Sequence, residues 1–263
     1  MKSKRLKRGK NVSSESAAEL SLCVKEHLFD TVRDLFLETA KLPEEYAEIS
    51  EEITANGYLI LRTGHNLNEY YEAVSGKTVF DNRRTEMGVI VKEIYEITKP
   101  LIESKELAFI CKIPEENVFV NIDREKFSYV ILDILLNAAE NTPAGGRIRI
   151  SFQRTKKYAK LIIGDNGFGM DKETISHCTE PFYSTSFDGR KKMGLGLTLA
   201  HNFVSQSGGR MKIKSEKGAG TTVEILLPIS AESDLNLSVE TTVPDIFGGK
   251  LSPIYMMLSG IKK

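Results

Sequence analysis

Apolar residues recur at helical spacing through most of the first seventy-five positions. From Ser14 to about Leu42, the residues Ala17, Val24, Leu28, Thr31, Val32 and Leu35 fall within one arc at 100° per residue. Ser13 or Ser14 suits the N-cap. Leu42-Pro43 followed by Glu44 and Glu45 reads as a stop, a turn and the acidic first turn of a second helix. That helix is expected from about Pro43 to Val74, with a seam of Ile49, Ile53, Ile60, Leu67, Tyr71 and Val74. Two long helices joined by a short turn make an antiparallel hairpin, assigned to residues 14–76. One apolar stripe per helix buries too little for an isolated hairpin. Two hairpins pairing into a four-helix bundle, and so a homodimer, are expected.

Ser75-Gly76-Lys77 ends the pattern, and 77–85 reads as a linker. A different rhythm follows over 86–229. Ile90, Ile94, Ile97 and Leu101 mark a helix at about 86–104. Residues 107–113 and 118–122 read as strands, and Asp123 can cap a helix over 124–141. Strands at 147–153 and 159–165, a helix from near Gly196 to Ser207, and strands at 211–216 and 221–228 complete the block. Helices with mainly antiparallel strands predict an α+β sandwich, one sheet with helices on one face. Residues 230–263 form a tail that is polar to about Val243 and mildly apolar beyond it.

Composition narrows the class. A chain of 263 residues holds one or two domains. Lys plus Arg (36) equals Asp plus Glu (36), so a nucleic-acid-gathering field is not expected. The six basic residues among the first ten belong to a solvated arm over 1–13. Cys23, Cys111 and Cys178 make neither a disulfide framework nor a CxxC site. No apolar run approaches a membrane span and no secretory pattern opens the chain, so a cytoplasmic setting is expected. The 20 glycines are an ordinary number, but ten of them lie between Gly164 and Gly220.

Four segments there and just before carry chemistry. In ILDILLNAAENT (131–142), Asp133 and Asn137 are one helical turn apart, where a carboxylate and an amide oxygen can address a hydrated cation. In GDNGFGM (164–170), Asp165 ends an apolar strand and can accept an exocyclic amino N–H such as adenine's, while Gly167 and Gly169 let the backbone approach a flat ligand. EPFYSTSFDGRKK (180–192) reads as a mobile loop whose Arg190, Lys191 and Lys192 can meet phosphate. GLGL (Gly194, Leu195, Gly196, Leu197) opens a helix whose N-terminal N–H groups favour an anion.

In this order the segments resemble the ATP-binding domain of sensor histidine kinases, in the superfamily shared with gyrase and the heat-shock chaperone ATPase. The resemblance covers about 86–229 and implies a sandwich of the Bergerat type with ATP and Mg²⁺ as cofactors. Asn137 matches the N box and is implied as the Mg²⁺ ligand. Asp165, Gly167 and Gly169 match the first glycine box, with the aspartate implied on adenine. Pro181, Phe182 and Tyr183 match the F box of the lid, and Gly194 and Gly196 the second glycine box. Gly218, Gly220 and Thr221 match the closing glycine-threonine strand. Two positions depart from the pattern. Glu140 stands where many members carry a basic residue, and Asp133 where related ATPases carry a general-base glutamate.

The resemblance also implies a phosphorylated histidine on the first hairpin helix and transfer to an aspartate of a response regulator. Of His27, His65, His177 and His201, His27 lies on that helix, at the edge of its stripe. Thr31 matches the family threonine four residues on, but Leu28 replaces the acidic residue that polarises the imidazole. His65 begins HNLN, a looser match to another histidine box, on the second helix. A kinase-degenerate phosphotransfer or regulator-docking module, and an anti-sigma-type serine kinase, are the alternatives.

Overall fold

The computed structural model describes residues 14–184 and 193–230. The basic arm, Arg190 to Lys192 and residues 231–263 lie outside the described residues.

The chain begins with two long helices, α1 (Ser14–Thr39) and α2 (Ala47–Ser75), joined through a 3-10 turn at Glu44–Tyr46. Pro43 and the two glutamates are taken up by that turn, so α2 starts later than the pattern suggested. Gly76 closes α2 in the left-handed region, at φ 69°.

The helices do not pack through the predicted seam of α2. Its contact row is Gly57, Tyr58, Leu61 and Gly64, against Val32, Phe36 and Leu28 of α1. A β-carbon on Gly57 would stand 2.5 Å from the Phe36 ring, so glycine sets how closely the helices approach. Ile49, Ile60, Leu67 and Val74 from the predicted seam are left 54, 44, 41 and 68% exposed. The reason is that α2 has three occupied directions rather than two. One row meets α1, a second meets the rest of the molecule, and the isoleucine-leucine row faces outward.

Residues 83–86 were expected to lie in a linker and at a helix start. They form β1 (Arg83–Glu86), paired antiparallel with β3 (Phe119–Ile122). RRTE carries no alternating apolar pattern, so the strand exists through its partner. The Arg84 guanidinium lies 3.7 Å from the centre of the Phe119 ring. There are therefore two sheets rather than one.

The remaining elements are α3 (Met87–Glu103), β2 (Ala108–Lys112), α4 (Arg124–Glu140), β4 (Arg147–Arg154), β5 (Tyr158–Asp165), α5 (Lys172–His177), α6 (Gly196–Gln206), β6 (Arg210–Glu216) and β7 (Gly220–Pro228). Asp123 caps α4 as its sequence position suggests, with Oδ1 accepting from the Lys126 N–H at 3.0 Å. Such a cap contributes about 1 kcal/mol. The main sheet runs β2-β4-β5-β7-β6, parallel only between β2 and β4. Alternate residues of β4 and β5 (Ile148, Ile150, Phe152; Ala159, Leu161, Ile163) are buried under α3, α4 and α6. Each buried isoleucine or leucine stabilises by roughly 1.5–3 kcal/mol.

The hairpin is docked on this α/β unit along α2. The Glu69 carboxylate meets Lys126 Nζ of α4 at 2.8 Å, with both side chains largely buried. His65 lies against Tyr129 with ring centres 4.4 Å apart, and Tyr70 meets the edge of Phe182 at 5.2 Å.

Candidate functional site

Strand β5 carries Asp165 to the rim of the main sheet. Its Oδ1 accepts from the backbone N–H groups of Gly167 (2.9 Å) and Thr221 (3.1 Å). Burial pushes the carboxyl up from its ordinary value, while the backbone N–H groups of Gly167, Thr221 and Asp165 itself oppose the rise. The Gly167 and Thr221 donors both fall on Oδ1, which leaves acceptor capacity on the carboxylate for a ligand amino group.

Two glycines allow the backbone to close around this point. Gly169 has φ 61° and faces the Glu216 carbonyl, and Gly194 has φ 71° and faces the Tyr183 carbonyl. A side chain at either position meets both strain and backbone. The Phe182 N–H donates to the Gly194 carbonyl at 3.0 Å, tying together the two ends of the segment that reads as a lid.

On α4, Asp133 and Asn137 face the same space. A β-carbon on Gly196 would lie 3.2 Å from the Asp133 carboxyl carbon, so that carboxyl sits against the first residue of α6. Burial raises its pKa from the ordinary 3.8 to about 6, with Arg62 opposing the rise and Glu140 adding to it. The Asn137 side-chain amide makes no hydrogen bond among the described residues.

These groups share one cavity of about 580 Å³, within the usual range for a small-molecule site. Its walls include Asp133 and Asn137 from α4, Asp165 and Gly169 from the end of β5, and Thr221 from β7. Tyr183 and the Gly194-Leu195-Gly196-Leu197 turn close the far side, where the N-terminus of α6 opens. The chemistry fits a nucleotide: an acceptor for an amino group at one end, a helix N-terminus for phosphate at the other. It also fits Mg²⁺, which keeps most of its waters and takes few protein ligands. Asn137 would hold it. Among the described residues no three His, Cys, Asp or Glu side chains are grouped to hold a metal.

Some expected residues lie elsewhere. Gly167 packs against the Asn141 backbone and serves by donating to Asp165. Phe182, at φ 65°, turns its ring to Tyr70 of α2 instead of lining the cavity. His27 and Thr31 are on α1, none of whose described residues lines the cavity. His27 is exposed, and the Thr31 hydroxyl donates to its carbonyl at 2.7 Å. His177 pairs with Glu180 at 2.9 Å, and His201 is exposed on α6. Arg190, Lys191 and Lys192 are outside the described residues.

The sequence gives no hint of the wall formed by α2. Asn56, Leu59, Arg62, Thr63 and Asn66 all line the cavity. Nothing in a helical pattern says which distant element its polar face will meet.

Residues 122–231 match the family model described as histidine kinase-, DNA gyrase B-, and HSP90-like ATPase. That stretch of the α/β unit is an ATPase-type domain similar to this superfamily. It is accompanied by wider similarity to sensor kinases. Sporulation kinase C of Bacillus subtilis (strain 168) is 27% identical over 169 residues, which are 64% of this chain and 34% of that protein. The chain thus spans about a third of the length of that curated relative. In fold, full-length ShkA crystallised with AMPPNP superposes with a TM-score of 0.68 at 18% identity, over 84% of this chain and 47% of that one. Histidine kinase ThkA, in complex with the response regulator TrrA, gives 0.57 at 18% identity, over 82% and 61%. No helix among the described residues is long and apolar enough to cross a membrane.

Proposed function

We propose that the chain is the core of an ATP-dependent protein histidine kinase. The observation that carries this is one cavity holding a doubly braced Asp165 at one end and the unengaged Asn137 amide beside the α6 N-terminus at the other. ATP is held with its adenine on Asp165 and its phosphates toward Asn137 and α6. Asn137 would hold Mg²⁺, which would neutralise phosphate charge facing the carboxyl of Asp133. A histidine nitrogen attacks the γ-phosphorus, the bond from it to the bridging oxygen breaks, and ADP leaves with that oxygen. The phosphoryl group then passes to an aspartate of a response regulator. The similarity in fold to ThkA, which was crystallised with such a regulator, supports that partner.

His27 is the preferred acceptor. It is exposed on α1, whereas His65 is stacked on Tyr129 between hairpin and α/β unit. Because α2 stands at the cavity, His27 reaches the nucleotide after α2 moves aside or from a second copy of the chain. The outward isoleucine-leucine row of α2 is the surface on which two copies pair. The cytoplasm suits the three free cysteines.

Incubation with γ-labelled ATP tests the reading. Acid-labile, base-stable label is expected on the wild type and absent from His27→Ala. Label lost only in His65→Ala moves the acceptor. ATP binding without label in any variant selects the second reading, a nucleotide-binding module that docks a regulator. That reading draws on Leu28, which packs on Gly64 where an acidic neighbour of the histidine would stand.

A further inference from the structure

The cavity has a wall that the ATPase-type domain does not supply. Arg62 and Asn66 are one turn apart on α2, so they share a helix face, and both line the cavity. Asp133 and Asn137, also one turn apart, line it from α4. Two polar pairs on two helices therefore bound the same space.

The α2 pair has no structural task of its own. Asn66 is 8% exposed, and its amide makes no hydrogen bond among the described residues. Arg62 makes no hydrogen bond or close ion pair among them. Its one interaction is electrostatic, with the buried Asp133. A buried amide and a guanidinium turned toward a cavity without partners have hydrogen-bonding capacity in reserve.

Charge explains what they would take up. Asp133 and Glu140 both line this end, and Glu140 adds to the negative field on Asp133. A triphosphate arriving here meets two acidic side chains. Two other basic residues line the wall, Lys105 just beyond α3 and Lys217 by Asp171 on the turn between β6 and β7, and neither acts on the Asp133 carboxyl as Arg62 does. Arg62 is the cation placed next to Asp133. A guanidinium is suited to phosphate because its N–H fork matches two phosphate oxygens at once.

We infer that Arg62 and Asn66 of α2 complete the phosphate end of the nucleotide site, so that bound ATP is held by the hairpin and the α/β unit together. This rests on the cavity being an ATP site. It adds that the triphosphate bridges the two units and that the hairpin contributes to discrimination between ATP and adenosine.

Binding is measured on the full chain with a non-hydrolysable ATP analogue and Mg²⁺ by calorimetry, and with adenosine by ligand-observed NMR. Arg62→Gln is expected to weaken the analogue about tenfold or more and leave adenosine unchanged, since a hydrogen bond to a charged group is being removed. Arg62→Lys, which keeps the charge without the fork, is expected between the two. Asn66→Leu is expected to lose less than Arg62→Gln. In parallel, amide hydrogen exchange over residues 55–66 should slow when the analogue binds the wild type, but not when it saturates Arg62→Gln.

If the wild type binds neither analogue nor adenosine, the ATP reading itself fails and this inference falls with it. If Arg62→Gln binds the analogue as tightly as the wild type, the inference is overturned while the ATP site stands. Equal losses for analogue and adenosine would make Arg62 a purely structural residue and overturn it as well. So would exchange over 55–66 that ignores the analogue in the wild type.

Discussion

The two units of the chain obtain their order differently. The α/β unit has a continuous apolar interior running from Met87 on α3 to Leu227 on β7. Among its described side chains the hairpin has a separate cluster of three buried ones, Val32, Tyr58 and Leu61, with Phe29 and Phe36 against it. That cluster is small for a unit as long as a domain. The hairpin's remaining order is borrowed, from the α/β unit through Glu69, His65 and Tyr70, and from whatever covers its outward row. A unit that borrows its stability is one whose position a ligand or partner can change. That matters for the proposed function, in which the acceptor histidine lies on the hairpin and the nucleotide sits where the two units meet.

The most forceful way to break the comparison is inside the α/β interior. Leu135 is fully buried on α4. Leu135→Ala is expected to destabilise the unit by about 2–5 kcal/mol. Chemical denaturation followed by tryptophan-free probes, such as far-ultraviolet circular dichroism, should show one transition moving. Leu61→Ala in the hairpin should move it much less. Equal shifts would mean that the two clusters unfold as one.

Next comes a change of opposite sign. Asp133 is raised to about 6 in the folded chain from an ordinary 3.8. A raised carboxyl pKa means that the folded state holds its proton more tightly. Stability from this source is therefore greatest below about pH 4 and falls as pH rises through 6. The difference amounts to about 3 kcal/mol at most. Asp133→Asn never ionises. It is expected to be more stable than the wild type at pH 8, by up to that amount, and no more stable at pH 4. Thermal melts across this range read it directly. An advantage that does not depend on pH would show that burial of the charge is not the cause.

What the sequence made legible follows the same division. The glycines, Asp165 and Asn137 could be read because each stands in a short motif whose pattern is local, even though Thr221 braces Asp165 from 56 residues away. Asp165 is braced by Gly167, Gly169 bends the same loop, and Asp123 caps its own helix. What escaped depends on partners far along the chain. Strand β1 is four polar or charged residues that order only on β3. Helix α5, six residues long with Asp171 capping Thr174, is too short to show a period. The inner row of α2 was hidden because Gly57 and Gly64 carry no hydropathy, while the more apolar row at Ile60 and Leu67 drew the reading outward. Arg62 and Asn66 were ordinary polar positions until α4 stood opposite.

The seam between the units offers a smaller effect. Glu69 and Lys126 are largely buried together, so removing one partner leaves a charge with poor solvation. Some of that loss is recovered because Lys126 Nζ also lies 5.3 Å from the centre of the Phe203 ring. Glu69→Ala is expected to cost about 2 kcal/mol, appearing chiefly as faster hydrogen exchange in α2 and at the N-terminus of α4. The β4–β5 strands, remote from the seam, should exchange as before. Uniformly faster exchange would mean that the pair supports the whole fold and not the docking alone.

The gentlest substitution separates borrowed order from own order most cleanly. Ile60 and Leu67 lie on the outward row of α2 and touch neither the hairpin cluster nor the cavity. Ile60→Asn combined with Leu67→Asn should change the stability of a single chain by no more than about 0.5 kcal/mol per site, because both side chains are already exposed there. In a pair of chains the same two positions would sit in the centre of a four-helix bundle, where an uncompensated amide is costly. Sedimentation should therefore show the wild type as a dimer and the double variant as a monomer. Nucleotide binding through Asp165 would be retained. A double variant that still sediments as a dimer would place the pairing surface elsewhere and leave the outward row of α2 without a partner from a second copy.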